Sequence, residues 1–440
     1  MGFKIGLLGL GTVGTGVGEI FASPKGRHPL LQEIEIAKVG VRSLEKARSL
    51  NLPAEVLTTD LRAIVNDPAI DIVVEVIGGL EPARTLILEA IAQGKHVVTA
   101  NKAVIARYGE EIFQAATQAS VYVMIEAAVA GGIPVIQPLK ESLGANRIHT
   151  LIGILNGTTN YILTKMQQSG AAFDDVLAEA QDLGYAEADP TADVDGLDAG
   201  DKIAILASLA FGGRIDLEQV HREGIRQVSA ADINYAKNLG FVIKLLAIAK
   251  VPPTTAELPP PQLEARVHPT LVPLDHPLAN VNDVFNALLI EAEPLGQVMF
   301  FGPGAGAGPT ASAVVADLIN IAALLKTGIV ANDPETSRIH PLLACSHQHY
   351  CNIAPMNDLV TRFYARFLTK DHPGVIGKLG TVFGNHGVSL ESIVQTGIKA
   401  ELAEIVVVTH DVQEGNFHRA LDEIRQMAAI DSIPSLLRVL

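Results

Sequence analysis

Short apolar runs punctuate the first 126 residues of the chain. Residues 3–8, 34–41, 71–79, 96–100 and 121–126 read as strands, and the run at 71–79 is almost unbroken in apolar character. A strand of that kind is covered on both faces, as in a parallel sheet whose crossover helices lie above and below it. Residues 81–92 predict one such helix.

From about residue 148 the strand–helix–strand rhythm breaks. Residues 150–160 read as a strand ending in a hydroxyl-rich turn, followed by helices to 168 and over 173–183. An acidic stretch comes next, and then an apolar run, 203–210, that reads as a buried helix. Residues 262–267, 283–293 and 297–301 predict strands of a second, smaller sheet; 311–325 predicts a long helix apolar enough to pack back on the first domain. Pro259-Pro260-Pro261 is a rigid surface break, and 331–358 reads as a connector. The last stretch reads β-α-β-β-α-β: strands at 362–368, 388–395, 404–410 and 436–440, with helices at 375–384 and 416–427.

Chemistry enters first at the end of the first strand. Gly9-Leu10-Gly11-Thr12-Val13-Gly14 is G-x-G-x-x-G with a strand before it and a helix expected after it. Gly9 makes the tight turn, Gly11 lets a pyrophosphate approach the backbone, and Gly14 lets the helix pack on its strand. The phosphates would rest on the helix N-terminus. At the end of the second strand, where an acid would hold a ribose 2′-hydroxyl, stands Arg42, with Lys46 one helical turn on. A cation there suits a 2′-phosphate and favours NADP over NAD, against the plain reading of a solvated arginine. Lys102 sits at a C-terminal strand edge, where ligands of open α/β sheets bind. Residues 127–134 have few side-chain donors and much free carbonyl, suited to a monovalent cation or a close ligand approach.

The acidic stretch is Tyr185-Ala186-Glu187-Ala188-Asp189-Pro190, followed by Asp193, Asp195, Asp198, Asp201 and Lys202. Asp198 and Lys202 share a helix face at the mouth of the apolar run. An isolated pair of this spacing is most often an ordinary surface ion pair. The loop 302–308, Gly-Pro-Gly-Ala-Gly-Ala-Gly, serves either as a close approach to a cofactor or as a hinge.

Composition narrows the class. A formal charge of −15 argues against a nucleic-acid surface, which needs clustered Lys and Arg. With only two cysteines, Cys345 and Cys351, no disulfide framework is expected and a reducing cytoplasm is the default. Cys345, His347, His349 and Cys351 alternate along the connector, but too tightly for a tetrahedral zinc clamp. No cleavable apolar leader and no uninterrupted apolar run of about 18 residues is present, so neither a signal peptide nor a membrane span is predicted.

Taken jointly, these motifs resemble homoserine dehydrogenase. The resemblance rests on residues 9–14, Asn101-Lys102, 126–134, 155–160, 184–190, Asp193 to Gly196 with Asp198 and Lys202, and 302–306. It implies an α/β fold in four parts. A Rossmann dinucleotide-binding domain spans 1–130, an α+β catalytic and dimerisation domain with a small sheet spans 131–330, a linker spans 331–358, and a βαββαβ module fills 359–440. It further implies reversible hydride transfer between NADP or NAD and L-aspartate 4-semialdehyde, giving L-homoserine. On that resemblance Lys202 is the acid–base lysine, Asp198 orients it, and Lys102 polarises the carbonyl. Glu187 holds the substrate ammonium, with Tyr185 and Asp193 in the substrate set. The cofactor set is Gly9, Gly11, Thr12, Val13, Gly14, Arg42, Thr99, Lys102 and Gly302. Glu126, Val129, Gly131 and Ile133 match the family's sodium site, mainly through backbone carbonyls. A homodimer or homotetramer is expected, with no nucleic acid and no membrane as partner.

The C-terminal stretch resembles an ACT domain through 371–377 and 385–390. That implies an amino-acid effector near Gly374, Val375 and Asn385, L-threonine being the obvious one; the alternative is a module kept for dimerisation only. Two other readings compete. An aspartate-semialdehyde dehydrogenase needs a nucleophilic cysteine, and both cysteines lie ahead of the ACT segment. A non-catalytic sensor has no use for an acid–base lysine.

Overall fold

The computed structural model describes residues 2–45, 50, 52–252, 262–327, 349–399 and 402–440. Lys46, Cys345, His347 and the triproline thus lie outside the described residues. The chain packs as two compact units, the first made of 1–148, 201–217 and 290–350, the second of 149–200, 218–289 and 351–440.

In the first unit six parallel strands form one sheet: β1 (Phe3–Leu8), β2 (Ile34–Gly40), β3 (Leu57–Thr58), β4 (Ile72–Glu75), β5 (His96–Thr99) and β6 (Val123–Met124). Their order is β3-β2-β1-β4-β5-β6, the doubly wound order of dinucleotide-binding domains. Buried side chains on both faces of β1 and β4 explain the unbroken apolar runs. The run predicted over 71–79 is strand for only four residues, because Gly78 and Gly79 turn at φ +73° and +74°. The run predicted over 121–126 is likewise cut to two residues by a 3-10 turn, Glu126–Ala128.

The expected long helix is present as Ala307–Lys326, and its Ala311, Val314, Leu318 and Ile321 join Ile5, Leu7 and Val17 in the core of this unit. Among the described residues it is the one helix long and apolar enough to cross a membrane. Here that apolar face is taken up by the core.

The second unit is built on a mixed sheet. In order across it run Phe285–Glu293, Arg147–Ile154, Phe241–Lys250, Gln262–Pro273, Ile430–Val439, Val360–Lys370, Leu402–Thr409 and Leu390–Lys399. The sheet expected to be separate and small is therefore continuous with the C-terminal strands. The join is a short parallel ladder, Thr270 opposite Arg438 and Leu271 opposite Val439. Strand Phe241–Lys250 and helix Ala230–Asn238 were not foreseen. Strand Gln262–Pro273 runs six residues beyond its predicted end, because ten of its residues pair with Phe241–Lys250.

The C-terminal βαββαβ order is borne out element by element, with helices Val375–Asn385 and Glu414–Arg425 on one face. Phe363, Phe367, Phe383 and Phe417 form its core, the Phe363 and Phe417 rings stacked at 4.0 Å between centroids.

Candidate active site

In the first unit the glycine turn after β1 leads into helix Thr12–Ala22. A Cβ on Gly14 would stand 2.1 Å from the Gly9 carbonyl oxygen, so only glycine lets the helix begin that close to its strand. A Cβ on Gly11 would meet nothing within 4 Å. The first turn carries no acidic side chain and no side-chain cap, so its N–H groups are left to an anion. Those features fit a pyrophosphate. Arg42 follows β2 and is exposed.

Thr99 ends β5 and donates from Oγ1 to Glu75 Oε2 at 2.6 Å, while accepting from the Asn101 N–H at 3.0 Å. Glu75 also accepts from the N–H groups of Ile77 and Gly78, and burial pushes its carboxyl above the usual range. Asn101 caps the helix Lys102–Ala119 through the Val104 N–H and donates to the Gly79 carbonyl. Lys102, half-buried, is thus the first residue of a helix whose start is tied to the ends of β4 and β5.

The residues expected to hold sodium lie in a tight backbone turn. Glu126 is buried, and its carboxylate accepts from the N–H groups of Val135, Ile136 and Gln137 at 2.6, 2.8 and 2.8 Å. Its own N–H donates to Asp317 Oδ2, whose carboxyl burial and the nearby Glu126 push well up. With the Glu126 carboxylate so engaged, the loop Val129, Gly131 and Ile133 has mainly carbonyl oxygens to offer a cation. Gly131 takes φ +58°, and a Cβ there would meet the Gly304 oxygen at 2.3 Å. Gly302 approaches the Ile133 side chain in the same way. Among the described residues no three His, Cys, Asp or Glu side chains group as metal ligands.

The second unit fixes the acidic stretch. Asn156 begins helix Gly157–Ser169, its Oδ1 accepting from the Thr159 N–H at 2.8 Å. Its Nδ2 donates to Asp193 Oδ1 at 2.7 Å and Asp198 Oδ2 at 2.9 Å. Thr158 Oγ1 holds the Tyr185 carbonyl at 2.7 Å, and Gln181 Nε2 holds those of Glu187 and Ala188. The backbone is pinned, while the Tyr185 and Glu187 side chains face solvent. Helix Leu197–Phe211 then carries Asp198 and, one turn on, Lys202, which are 6% and 9% exposed. Burial at that level rules out the surface ion pair.

Sequence reasoning singled out neither Glu75 nor Asn156. Asn156 was within reach, because an Asn before Gly-Thr-Thr is a strong helix cap. Glu75, at the end of an apolar run, gave no signal.

At the C-terminal module Gly374, at φ +89°, caps the helix that starts at Val375 and ends at Asn385. The two ends are about 16 Å apart at helical rise. Within one chain Asn385 therefore stands at the opposite end of this helix from Gly374 and Val375. Cys351 is half-buried and burial pushes its thiol up.

A Rossmann sheet with its glycine turn, a buried lysine beside an oriented carboxylate and an appended βαββαβ module define a nicotinamide-dependent oxidoreductase. Residues 9–126 match the family model of the homoserine dehydrogenase NAD-binding domain, 134–319 that of homoserine dehydrogenase, and 363–429 that of the ACT domain. The chain is 65% identical over the full length of both chains to the homoserine dehydrogenase of Synechocystis sp.. To that of Bacillus subtilis it is 42% identical, covering 99% of this chain and 98% of the relative. A crystal structure of a homoserine dehydrogenase from Thiobacillus denitrificans superposes with a TM-score of 0.88 at 43% identity, covering 100% and 98%. A hyperthermophilic archaeal homoserine dehydrogenase in complex with NADPH matches 74% of this chain and 98% of its own, at 30% identity and a TM-score of 0.62. The chain belongs to the homoserine dehydrogenase family, whose members are NAD(P)-dependent oxidoreductases.

Proposed function

We propose that the protein interconverts L-aspartate 4-semialdehyde and L-homoserine on the route to threonine, methionine and isoleucine, with NADP preferred. The single observation that carries the site assignment is the Asn156 amide, which holds Asp193 and Asp198 together one turn ahead of buried Lys202. The nicotinamide supplies or takes the hydride.

Lys202 holds the proton that passes to the developing alkoxide oxygen, and Asp198 orients its ammonium. Lys102 polarises the carbonyl, while Asp193 and the Glu187 and Tyr185 side chains bind the amino-acid end. The Glu126–Ile133 turn holds a sodium ion on its carbonyls, and Arg42 receives the 2′-phosphate. The protein acts in the cytoplasm as a homodimer or homotetramer, and L-threonine inhibits it through the ACT module, seated near Gly374 and Val375.

A thioester-forming aspartate-semialdehyde dehydrogenase is disfavoured, since the cysteine among the described residues, Cys351, is half-buried with its thiol pushed up by burial, which makes a poor nucleophile. The test is homoserine-dependent reduction of NADP and of NAD by purified protein, with and without L-threonine. Turnover suppressed by threonine supports the whole reading, and turnover indifferent to it leaves the enzyme and removes the effector. Lys202→Ala is expected to abolish turnover while leaving cofactor binding nearly intact; wild-type-like rates would sink its role. Arg42→Ala is expected to raise KM for NADP far more than for NAD, and equal effects would refute the phosphate contact.

A further inference from the structure

A cavity of about 580 Å³ lies within the first unit between helix Lys102–Ala119 and the later turns of helix Leu197–Phe211. It belongs to none of the groups assigned above. Residues Ala204, Ile205 and Ser208 line it, the face of the second helix that continues from Asp201. That volume is in the range of small-molecule sites.

Its walls divide by chemistry. Ile105, Phe113, Ile125, Ile205, Leu209 and Ile215 give an apolar body. Along the neighbouring edge of helix Lys102–Ala119 run Arg107, Glu110 and Gln114, three and four residues apart and so on one side of the helix. At one end Glu110 is already neutralised by Arg214, whose guanidinium also lies 5.6 Å from the centre of the Tyr350 ring.

Arg107 is different. Its Nη1 donates to the Ala103 carbonyl at 3.2 Å and to both oxygens of buried Asp201 at 3.1 Å. Among the described residues its Nε and Nη2 have no partner. Those two atoms form the side of the guanidinium that takes a carboxylate through two parallel hydrogen bonds. Asp201 can keep Nη1 while a second carboxylate occupies that side.

We propose that this cavity is a binding site for a small amphipathic carboxylate, its apolar body against the isoleucines and Phe113 and its carboxylate on the Nε and Nη2 of Arg107. The ligand class follows from the pairing of an apolar chamber with one half-used guanidinium. The site abuts the helix that carries Lys202, on the side of Asp201, but does not depend on the role proposed for that lysine.

The test is calorimetric titration of the full chain with 4-phenylbutyrate and with its neutral isostere 4-phenylbutyramide. The acid is expected to bind saturably and the amide about tenfold more weakly or worse, as loss of a charged hydrogen-bonded pair requires. Gly109→Leu fills the chamber from the helix. A Cβ there meets Phe113 carbons at 3.6 and 3.7 Å, ordinary contact, and leucine suits a helix interior better than glycine. This variant is expected to fold and to lose binding of the acid. Arg107→Gln is expected to erase the preference for acid over amide, an independent readout should the leucine variant unfold. No saturable binding by the wild-type chain, equal affinity for acid and amide, or unchanged binding by folded Gly109→Leu would each overturn the proposal.

Discussion

Two polar clusters are buried in the second unit, and they follow opposite rules. Around Asn156 a neutral amide serves two carboxylates, and all its hydrogen-bonding capacity is used: Nδ2 by Asp193 and Asp198, Oδ1 by the N–H and hydroxyl of Thr159. Along the seam where strand Gln262–Pro273 meets strand Ile430–Val439, full charges are buried instead. Arg438 grips Glu414 with two hydrogen bonds of 2.7 and 2.9 Å and reaches Glu223 at 2.9 Å. Beside it Arg266 has Glu264 at 3.3 Å and Glu414 only at 3.7 Å. Buried Arg266 Nε and Nη1 and His268 Nε2 have no hydrogen-bond partner among the described residues. The small neutral cluster orients a carboxylate with nothing left over. The seam holds two modules in register with groups it cannot fully satisfy.

Breaking the seam at its best-made pair is expected to have the largest effect. Glu414→Gln leaves two buried guanidinium groups short of a counter-charge and is expected to cost about 3–5 kcal/mol in urea unfolding. The pH dependence gives a second reading. Burial raises the Glu414 carboxyl, but the hydrogen bonds from Arg438 and His418 and the charges of Arg438 and Arg266 outweigh it and bring it from 4.5 to about 2. A folded-state pKa below the unfolded one contributes stability that is complete above about pH 4.5 and is lost as pH falls toward 2. The difference between wild type and Glu414→Gln is therefore expected to shrink across that window. A difference that stays constant from pH 6 to pH 3 would show that the carboxylate is not held ionised by the seam.

The neutral cluster is expected to respond in the other currency, activity. Asn156→Ala removes a helix cap worth about 1–2 kcal/mol. It also strips Asp198 of its donor, and a hydrogen bond to a charged group of that kind is worth about ten- to a hundredfold in rate if the carboxylate must be oriented. The expected result is a protein that still folds, with kcat down by about that factor and cofactor affinity near normal. A large stability loss with unchanged kcat would make the cluster purely structural and erase the contrast with the seam.

The contrast also explains what could be read in advance. The glycine turn after β1, the acidic stretch and the C-terminal βαββαβ order are local: each is set by residues within a few positions of one another, so pattern and motif expose them. Asn156 is a local cap, but its partners lie 37 and 42 residues away. The seam is wholly non-local. Arg266 and Arg438 read as solvated strand charges until strand pairing places Thr270 opposite Arg438. The same blindness made the second sheet look small and separate, because a two-residue parallel ladder leaves no mark on hydrophobic period. Strand Phe241–Lys250 was hidden for another reason. Nearly all of it is buried, including Lys244, whose ammonium is satisfied by Asn160 and Asn282 oxygens and is pulled down to about 8 by burial. A strand buried on both faces loses its alternation.

The smallest expected effect is also the sharpest test of the comparison. Replacing the poorly satisfied half of the seam, Glu264→Gln together with Arg266→Met, removes one carboxylate together with the Arg266 guanidinium, whose charged form burial already disfavours. Methionine fills much of the arginine's slot without a polar atom to satisfy. Net exchange of a buried ion pair for apolar volume is near neutral or stabilising, so the double variant is expected within about 1 kcal/mol of wild type. Glu264→Gln alone is expected to be worse than the pair, because it leaves buried Arg266 with Glu414, at 3.7 Å, and the more distant charge of Glu223 as counter-charges among the described residues. A double variant that loses several kcal/mol would mean that the unpartnered Arg266 atoms are satisfied in solution, for instance by buried water. The seam would then obey the same rule of full satisfaction as the Asn156 cluster.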